Sequence, residues 1–428
     1  MATFTLEVSV TEKCNLACPY CYVANIDKFL SIEQFDKAFI EFKKMVHRSS
    51  TTGLPGSGNQ GEKYHVSYFG GEPLLNMELI RHATKKFKAD PACEHVGIIS
   101  NLSLLTEEIM EYIERAGLGV SWSFDGLSSN ESRPLVKNME ENKGYDNVLD
   151  MYNSKRHLLK RALRNERFCK VMLFPGNIEN MTENLQFLVE MGINCPDFMC
   201  VRDDIWSEED IRVFRVECHR MADQLIKYFD QGKIIVIGMF HLAIRDILIG
   251  MTKSKRPWGC FAGTHGAVMS VEGEFYPCAR FASKKLLPMS GKEYNGVEDY
   301  DFAYWQKQLN PQNYSKCKSC KLYKVCNAGC SYSQIRNGNQ PVDSVCELNH
   351  IFYDETLRIA EECKNMPAYI EYVKKVFTGG WDNKYLHKNA DVNDIKESIK
   401  RAAEQGSNHV LHPITPTAMP YKEVAVYG

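Results

Sequence analysis

The chain has 428 residues, 44% of them hydrophobic and 25% charged, and carries a net charge of −2. That length exceeds one small core and calls for two or three domains, or one large α/β body with an extension. The balance argues against a general nucleic-acid binder, and no signal peptide or long apolar run is visible, so a cytoplasmic protein without a membrane span is expected. In that compartment the 16 cysteines stay reduced, and cysteines gathered in close groups point to metal rather than disulfides.

The first predicted element is "TFTLEVSV", which sets Phe4, Leu6, Val8 and Val10 on alternate positions of a strand with one apolar face. It runs into "CNLACPYC", with Cys14, Cys18 and Cys21. Ile32, Phe35, Phe39, Phe42 and Val46 then follow helical spacing, and Ser31 with Gln34 makes a capping box. Residues 49–63, rich in Ser, Thr, Gly and Pro, read as a loop. Strand "YHVSYF" leads into "GGEP" and a helix from about Leu75 to Phe87. "HVGIIS", "GVSWSF", "CKVMLF" and "PDFMCV" are further strands, and "TEEIMEYIERAG" and "MTENLQFLVEMG" are helices among them. "IIVIGMFHLAI" from Ile234, interrupted by His241, reads as buried core. This alternation predicts a parallel sheet or barrel with helices outside. Polar motifs recur just after strands: Cys14 to Cys21, Gly70 to Pro73, Ser123 to Asp125, and Arg202 to Asp204. In parallel α/β folds one mouth collects such motifs.

From about Trp258 the character changes. Cysteines fall at 260, 278, 317, 320, 326, 330 and 346, a helical segment "IFYDETLRIAEECKNMPAYIEYVKKVF" follows, and the tail is polar. The expected division is 1–235 for the barrel, 236–350 for a cysteine-rich unit, and 351–428 for a helical segment and tail. Cysteines 93, 169, 195, 200, 218 and 363 show no paired spacing and read as buried small hydrophobes.

Three cysteines in C-x3-C-x2-C are one short of a structural zinc site. They are three of four zinc ligands with the fourth elsewhere, or they ligate a four-iron–four-sulfur cluster with one iron left open. An open iron is a Lewis-acid and redox site for a small chelating molecule, and an amino acid's amine and carboxylate would fit. "GGEP" alone reads as a tight turn, and so does "SFDG". A cysteine loop directly after the first barrel-like strand, followed by a strand ending in "GGEP", is harder to explain as zinc.

Together these residues resemble the radical S-adenosylmethionine enzymes. The resemblance implies a partial (β/α)6 barrel and an open iron that binds the methionyl amine and carboxylate. It further implies one-electron cleavage of the sulfonium to a 5′-deoxyadenosyl radical that abstracts a hydrogen atom. Tyr20 would lie beside the adenine. Gly70, Gly71, Glu72 and Pro73 would receive the methionyl amine, and Ser123 and Asp125 would lie near the carboxylate and ribose. The family's Asn-Gly after the next strand stands here as Asn101-Leu102.

The later cysteines read C-x2-C-x5-C-x3-C-x15-C from Cys317, too many for one zinc ribbon, although a zinc site with extra structural thiols is an alternative. With "GCFAGTHGAVMSVEGEFYPCARF" upstream, the pattern resembles the SPASM extension of radical enzymes that modify peptides and proteins. The resemblance implies two auxiliary 4Fe-4S clusters, three in all with the S-adenosylmethionine-binding one. Cys317, Cys320, Cys326 and Cys346 would hold the outer cluster, and Cys260, Cys278 and Cys330 the inner. "FAGTHGAV" offers the inner cluster no fourth cysteine, and His265 is the nearest candidate. Sulfatase-maturing relatives carry an acidic base after the "YPC" cysteine, where this chain has Ala279 and Arg280.

The expected function is therefore a maturase that cross-links a ribosomally made peptide, by thioether in preference to carbon–carbon bonds. The alternatives are a maturase of a folded protein side chain and a non-catalytic zinc or iron–sulfur module. The expected partners are the peptide and an external one-electron donor of flavodoxin or ferredoxin type, with no nucleic acid or membrane. The first strand begins by residue 3, so leader recognition is expected at the barrel rim, through the tail or by a separate leader-recognition protein.

Overall fold

The computed structural model describes residues 4–51, 63–163, 168–241, 243–244, 262–263, 266–286, 314–323, 326 and 329–378. Cys260, His265, the loop 52–62 and the tail 379–428 lie outside the described residues.

Six strands follow one another across a parallel sheet: β1 (Phe4–Thr11), β2 (Tyr64–Gly70), β3 (Cys93–Ser100), β4 (Gly119–Ser123), β5 (Phe168–Leu173) and β6 (Cys195–Cys200). Each crossover carries helical structure, as parallel pairing requires. The main helices are α1 (Ile32–Thr51), α2 (Met77–Ala89), α3 (Glu107–Ala116), α4 (Met181–Glu190) and α5 (Glu208–Asp230). This is the partial (β/α)6 barrel that the motifs imply.

The alternation in β1 has its expected consequence. Phe4, Leu6, Val8 and Val10 are fully buried on the helix-facing side. There the Phe4 ring meets Phe42 at 6.0 Å, and Phe42 stands edge-on to Tyr64 at 4.9 Å. The capping box at the start of α1 is formed both ways: Gln34 N donates to Ser31 Oγ at 3.1 Å, and Ser31 N to Gln34 Oε1 at 3.2 Å. Helix α1 continues to Thr51, past the point where composition predicts a loop. Helix α3 starts on the Thr106 cap and stops at Gly117, whose φ of 59° is left-handed.

The sheet does not end with the barrel. Strand β7 (Gly266–Met269) pairs parallel with β1, with Thr5 opposite Gly266 and Val8 opposite Met269, and β8 (Phe275–Tyr276) returns antiparallel. The cysteine-rich part is thereby joined to the barrel's edge by main-chain hydrogen bonds. Helix α6 (Asp343–Cys363) packs on α5, with the Phe214 and Phe352 rings 5.0 Å apart, and α7 (Pro367–Thr378) follows after a break. The break falls where Pro367 cannot donate to a continuing helix. The segment expected as core from Ile234 is half-buried at Ile234 itself and buried beyond it, with Val236, Ile237 and Phe240 in the core. Of the six cysteines without paired spacing in the sequence, Cys169, Cys200, Cys218 and Cys363 are buried as expected, whereas Cys93 and Cys195 are half-buried. Among the described residues, no helix is long and apolar enough to cross a membrane.

Candidate active site at the barrel mouth

The two glycines of "GGEP" are required by a close approach of backbones. Gly71 N donates to Thr11 O at 2.8 Å, and Glu72 N to Lys13 O at 2.9 Å, so the parallel pairing of β1 and β2 is carried past the strand ends. A Cβ at Gly70 would lie 2.1 Å from Thr11 O, and one at Gly71 2.2 Å from Lys13 O. Gly70 also has a φ of 138°. Only glycine fits either position. This contact fixes the backbone immediately before Cys14.

The cysteine loop is tied down elsewhere too. Ala17 N donates to Pro134 O and Val136 N to Asn15 O. The buried Asn15 amide reaches Ser103 Oγ at 2.8 Å and Asn142 Oδ1 at 3.0 Å. Cys14 N donates to Asn25 Oδ1 at 2.8 Å, and Cys21 N to Cys18 O at 3.0 Å. The loop follows the carboxyl end of β1, and Cys21 is the most exposed of its three cysteines.

Glu72 is fully buried, and its carboxylate is occupied by its own chain. Oε1 accepts from Leu74 N at 3.0 Å and Ser100 Oγ at 2.7 Å, and Oε2 accepts from Asn101 N at 2.9 Å. Burial pushes its carboxyl up to about 7, against the pull of those three donors. Asn101, held in this way, points Nδ2 at Asn15 Oδ1, 3.0 Å away, and at Cys14 Sγ, 3.9 Å away. Leu102, where a glycine would be easy, has a φ of 58°, and its N–H is caught by Ser100 Oγ at 2.8 Å.

Asp125 is likewise fully buried and saturated. Oδ1 accepts from Arg133 Nη2 at 2.9 Å and Met172 N at 2.8 Å, while Oδ2 accepts from Tyr20 OH at 2.6 Å and Ser132 Oγ at 2.7 Å. The Arg133 guanidinium also stands 5.6 Å from the Tyr20 ring centroid, and Phe174 packs on Tyr20 at 5.1 Å. Burial opposes the charge on Arg133, but Asp125, Tyr20 and Cys18 beside it hold it firmly protonated. Ser123 lies half-buried at the end of β4. Sequence reading named Tyr20 and Asp125, which the structure bonds to each other, but not Arg133, which follows "SFDG" at no spacing that marks it.

In the extension, Cys317, Cys320 and Cys346 lie close enough that burial and then their mutual repulsion raise the Cys317 thiol. Cys346, Asn349 and His350 share one face of α6 at positions i, i+3 and i+4. Asn349 Nδ2 reaches Cys326 Sγ at 3.9 Å, and His350 Nε2 is 3.2 Å from Cys320 Sγ. The start of α6 thus lies beside Cys317 and Cys320, through Cys346 and His350, and beside Cys326 through Asn349. Cys278 and Cys330 cap the short helices Ala279–Ser283 and Ser331–Arg336.

A cavity of about 530 Å³ opens where the barrel mouth meets the extension. Tyr20, Cys21 and Tyr22 line one side, Asp203 and Asp204 after β6 a second, and Arg280, Lys284, Tyr332 and Arg336 the third. Tyr22 bridges them: burial raises its phenol, and then Glu7, Cys278 and Cys21 do so. Of the Arg202 to Asp204 motif, Asp203 and Asp204 thus line this cavity, whereas Arg202 turns to α6, its Nη1 donating to Asn349 Oδ1 at 2.9 Å.

The donor chemistry suits iron–sulfur clusters. Cys14 Sγ accepts from Leu16 N at 3.4 Å, Cys320 Sγ from Leu322 N at 3.4 Å, and Cys330 Sγ from Arg280 Nη1 at 3.5 Å. N–H groups aimed at sulfur favour the thiolate that iron takes, and soft thiolates are the ligands of such clusters. Without iron, burial leads the causes that raise the Cys14 thiol and bring Cys18 to about 11. Among the described residues, no three cysteine, histidine or carboxylate side chains close around a point as a single-ion site would.

Residues 8–204 match the Radical SAM superfamily. The radical SAM cyclopropyl synthase TigE of Paramaledivibacter caminithermalis is 24% identical over 349 residues, 76% of this chain and 67% of that one. The serine-type anaerobic sulfatase-maturating enzyme of Bacteroides thetaiotaomicron is 22% identical over 85% of this chain and 89% of its own. The match to the uncharacterized protein MJ0907 of Methanocaldococcus jannaschii, 24% identical, spans 45% of this chain and 61% of the relative. The fold of anSMEcpe with bound AdoMet superposes with a TM-score of 0.60 at 16% identity, covering 84% of this chain and 99% of that one. SuiB of Streptococcus suis bound to precursor peptide SuiA gives 0.50 at 16% identity, over 80% and 76%. With the cysteine loop, the glycine contact and the parallel barrel in one place, residues 8–204 are a radical SAM domain, the mark of an enzyme, and the cysteine-rich extension fits the SPASM pattern.

Proposed function

We propose that this chain is a maturase that abstracts a hydrogen atom from a side chain of a ribosomally made peptide and leaves a cross-link. The observation that carries the reading is the cavity of about 530 Å³ shared by the cysteine loop and the extension. Its size suits a bound side chain or short peptide segment rather than a whole domain. The names of the relatives support the same class: a cyclopropyl synthase, a sulfatase-maturating enzyme, and a fold neighbour bound to a precursor peptide.

In this reading Cys14, Cys18 and Cys21 hold one 4Fe-4S cluster, and S-adenosylmethionine bound to it supplies the hydrogen-abstracting chemistry. Cys317, Cys320, Cys326 and Cys346 hold a second cluster, and Cys278 and Cys330, with Cys260, a third. The chain's own residues do the positioning. Gly70 and Gly71 bring the "GGEP" backbone against the cysteine loop, where it can receive the methionyl amine. Glu72 acts through Asn101, which it holds beside Cys14. Asp125 acts through Tyr20 and Arg133, orienting the ring that would lie beside the adenine and placing a cation near the cofactor carboxylate. Ser123, at the end of β4, is assigned to the same region. An external flavodoxin- or ferredoxin-type donor supplies the electron in the cytoplasm, and the barrel rim or a separate protein recognises the leader.

For the bond formed we favour a thioether, because "FAGTHGAV" offers the inner cluster no fourth cysteine and would leave an iron for a substrate thiolate, while Ala279 stands directly after Cys278 where a sulfatase maturase would carry its acidic base. The test incubates the anaerobically reconstituted enzyme, S-adenosylmethionine and a reductant with a short cysteine-containing peptide encoded next to its gene. The expected product is two hydrogens lighter, and the loss vanishes in one Cys→Ser variant of the peptide. A two-hydrogen loss that persists in every cysteine-free variant assigns a carbon–carbon bond instead. No mass change in the peptide, with 5′-deoxyadenosine still formed, refutes this substrate class.

A further inference from the structure

Arg280 stands where the barrel, the cysteine loop and the extension meet, and its guanidinium is used on every side but one. Nη1 donates to Cys330 Sγ at 3.5 Å and to Ser333 Oγ at 3.0 Å. Nη2 donates to both carboxylate oxygens of Asp203, just beyond β6. The plane lies 4.5 Å from the Tyr332 ring centroid and 5.8 Å from that of Tyr22, the residue after Cys21. Nε is buried without a partner. The side chain is only 15% exposed, so its charge acts at short range with little screening by water. A surface arginine making an ordinary ion pair would need neither the sulfur contact nor the two rings.

We propose that Arg280 sets the reduction potential of the cluster ligated by Cys330, and that Asp203 trims this effect from the barrel side. The proposal rests on the reading that Cys330 is a cluster ligand. Reduction adds one electron, and so one negative charge, to a cluster and its thiolates. A guanidinium donating to a ligating sulfur stabilises that added charge and raises the potential, since hydrogen bonds to sulfur and local charge are the protein's levers on it. The Asp203 carboxylate on the same guanidinium works in the opposite sense. Arg280 is thus a positioning residue that acts through Cys330, and Asp203 couples the cavity wall to it.

The opposed signs make the test decisive. Potentiometric titration followed by electron paramagnetic resonance would be run on the full chain carrying Cys14→Ala, Cys18→Ala and Cys21→Ala, so that only the extension's clusters report. Arg280→Gln is expected to lower one midpoint potential, Asp203→Asn to raise the same one, and Arg280→Lys to stay near the unsubstituted value, all at unchanged iron content. Shifts of Arg280→Gln and Asp203→Asn in one direction, or no shift in either, would overturn the proposal. If Arg280→Gln loses iron through misfolding, Asp203→Asn and Arg280→Lys still decide it. Cys330→Ala separates the two ideas. It should lower iron content and remove the shifted signal. Iron and signal unchanged in Cys330→Ala would defeat the ligand reading itself, and the tuning with it.

Discussion

The cysteines of the barrel mouth and those of the extension solve one chemical problem in different ways. At the mouth, Cys14, Cys18 and Cys21 sit on one short loop that is held by main-chain contacts with residues 134–136 and entered through Thr11 and Lys13, which Gly71 and Glu72 bond. In the extension, the ligand candidates ride on separate short elements, and α6 gathers them by presenting Cys346, Asn349 and His350 on one face. The mouth is preorganised by backbone. The extension is assembled by packing, and so depends more on what it binds.

This contrast can be broken most severely at the loop itself. Replacing Cys14, Cys18 and Cys21 with Ala should remove about four irons per chain and abolish cleavage of S-adenosylmethionine, with the fold retained by circular dichroism. Stoichiometric zinc with no labile sulfide in the unsubstituted protein would end the iron–sulfur reading of both regions. Next in size is Asp125→Ala. It leaves the Arg133 guanidinium, 5% exposed, without its partner, and breaking one side of such a buried pair costs about 3–5 kcal/mol. Urea denaturation should show that loss, and cofactor affinity should fall with it.

Much of the fold was legible because each strand's apolar positions alternate and the polar motifs fall just after the strands. The glycine pair was legible only as a tight turn or a cofactor-receiving element, and its close approach to Thr11 and Lys13 needed the folded sheet. What the sequence did not reveal was the use of the acids. Glu72 and Asp125 read as groups that meet the cofactor, yet each is saturated by donors of its own chain. Those donors, Ser100, Asn101, Ser132, Arg133 and Met172 among them, come from other elements, and only the folded sheet brings them close. The joining of β7 to β1 was hidden too, because a four-residue strand leaves almost no periodic signal.

Smaller effects sharpen the same comparison. Gly71→Ala must push the "GGEP" backbone off Lys13, and overpacking of this kind costs about 1–3 kcal/mol. Thermal unfolding should show it, and the iron lost should come from the mouth and not the extension. Glu72→Ala leaves the Asn101 and Leu74 N–H groups buried and unpaired, at a cost of about 1–3 kcal/mol, and should weaken cofactor use by letting Asn101 move away from Cys14. Normal cofactor cleavage in correctly folded Glu72→Ala protein would reduce Glu72 to a turn residue. The smallest expected effect is that of Tyr20→Phe, which removes one hydrogen bond to Asp125, worth about 0.5–1.5 kcal/mol. It should raise the concentration of S-adenosylmethionine needed, with iron content unchanged.

The central claim is a division of labour in which the mouth generates the radical and the extension is needed to turn it into product. It is tested most directly by measuring 5′-deoxyadenosine and modified peptide side by side in a Cys317→Ala, Cys346→Ala double variant of the full chain. In that variant 5′-deoxyadenosine is expected to be released still, while the two-hydrogen mass loss in the peptide disappears. Undiminished peptide modification would contradict the claim, and so would loss of 5′-deoxyadenosine from a variant whose barrel remains folded and loaded with the mouth's iron.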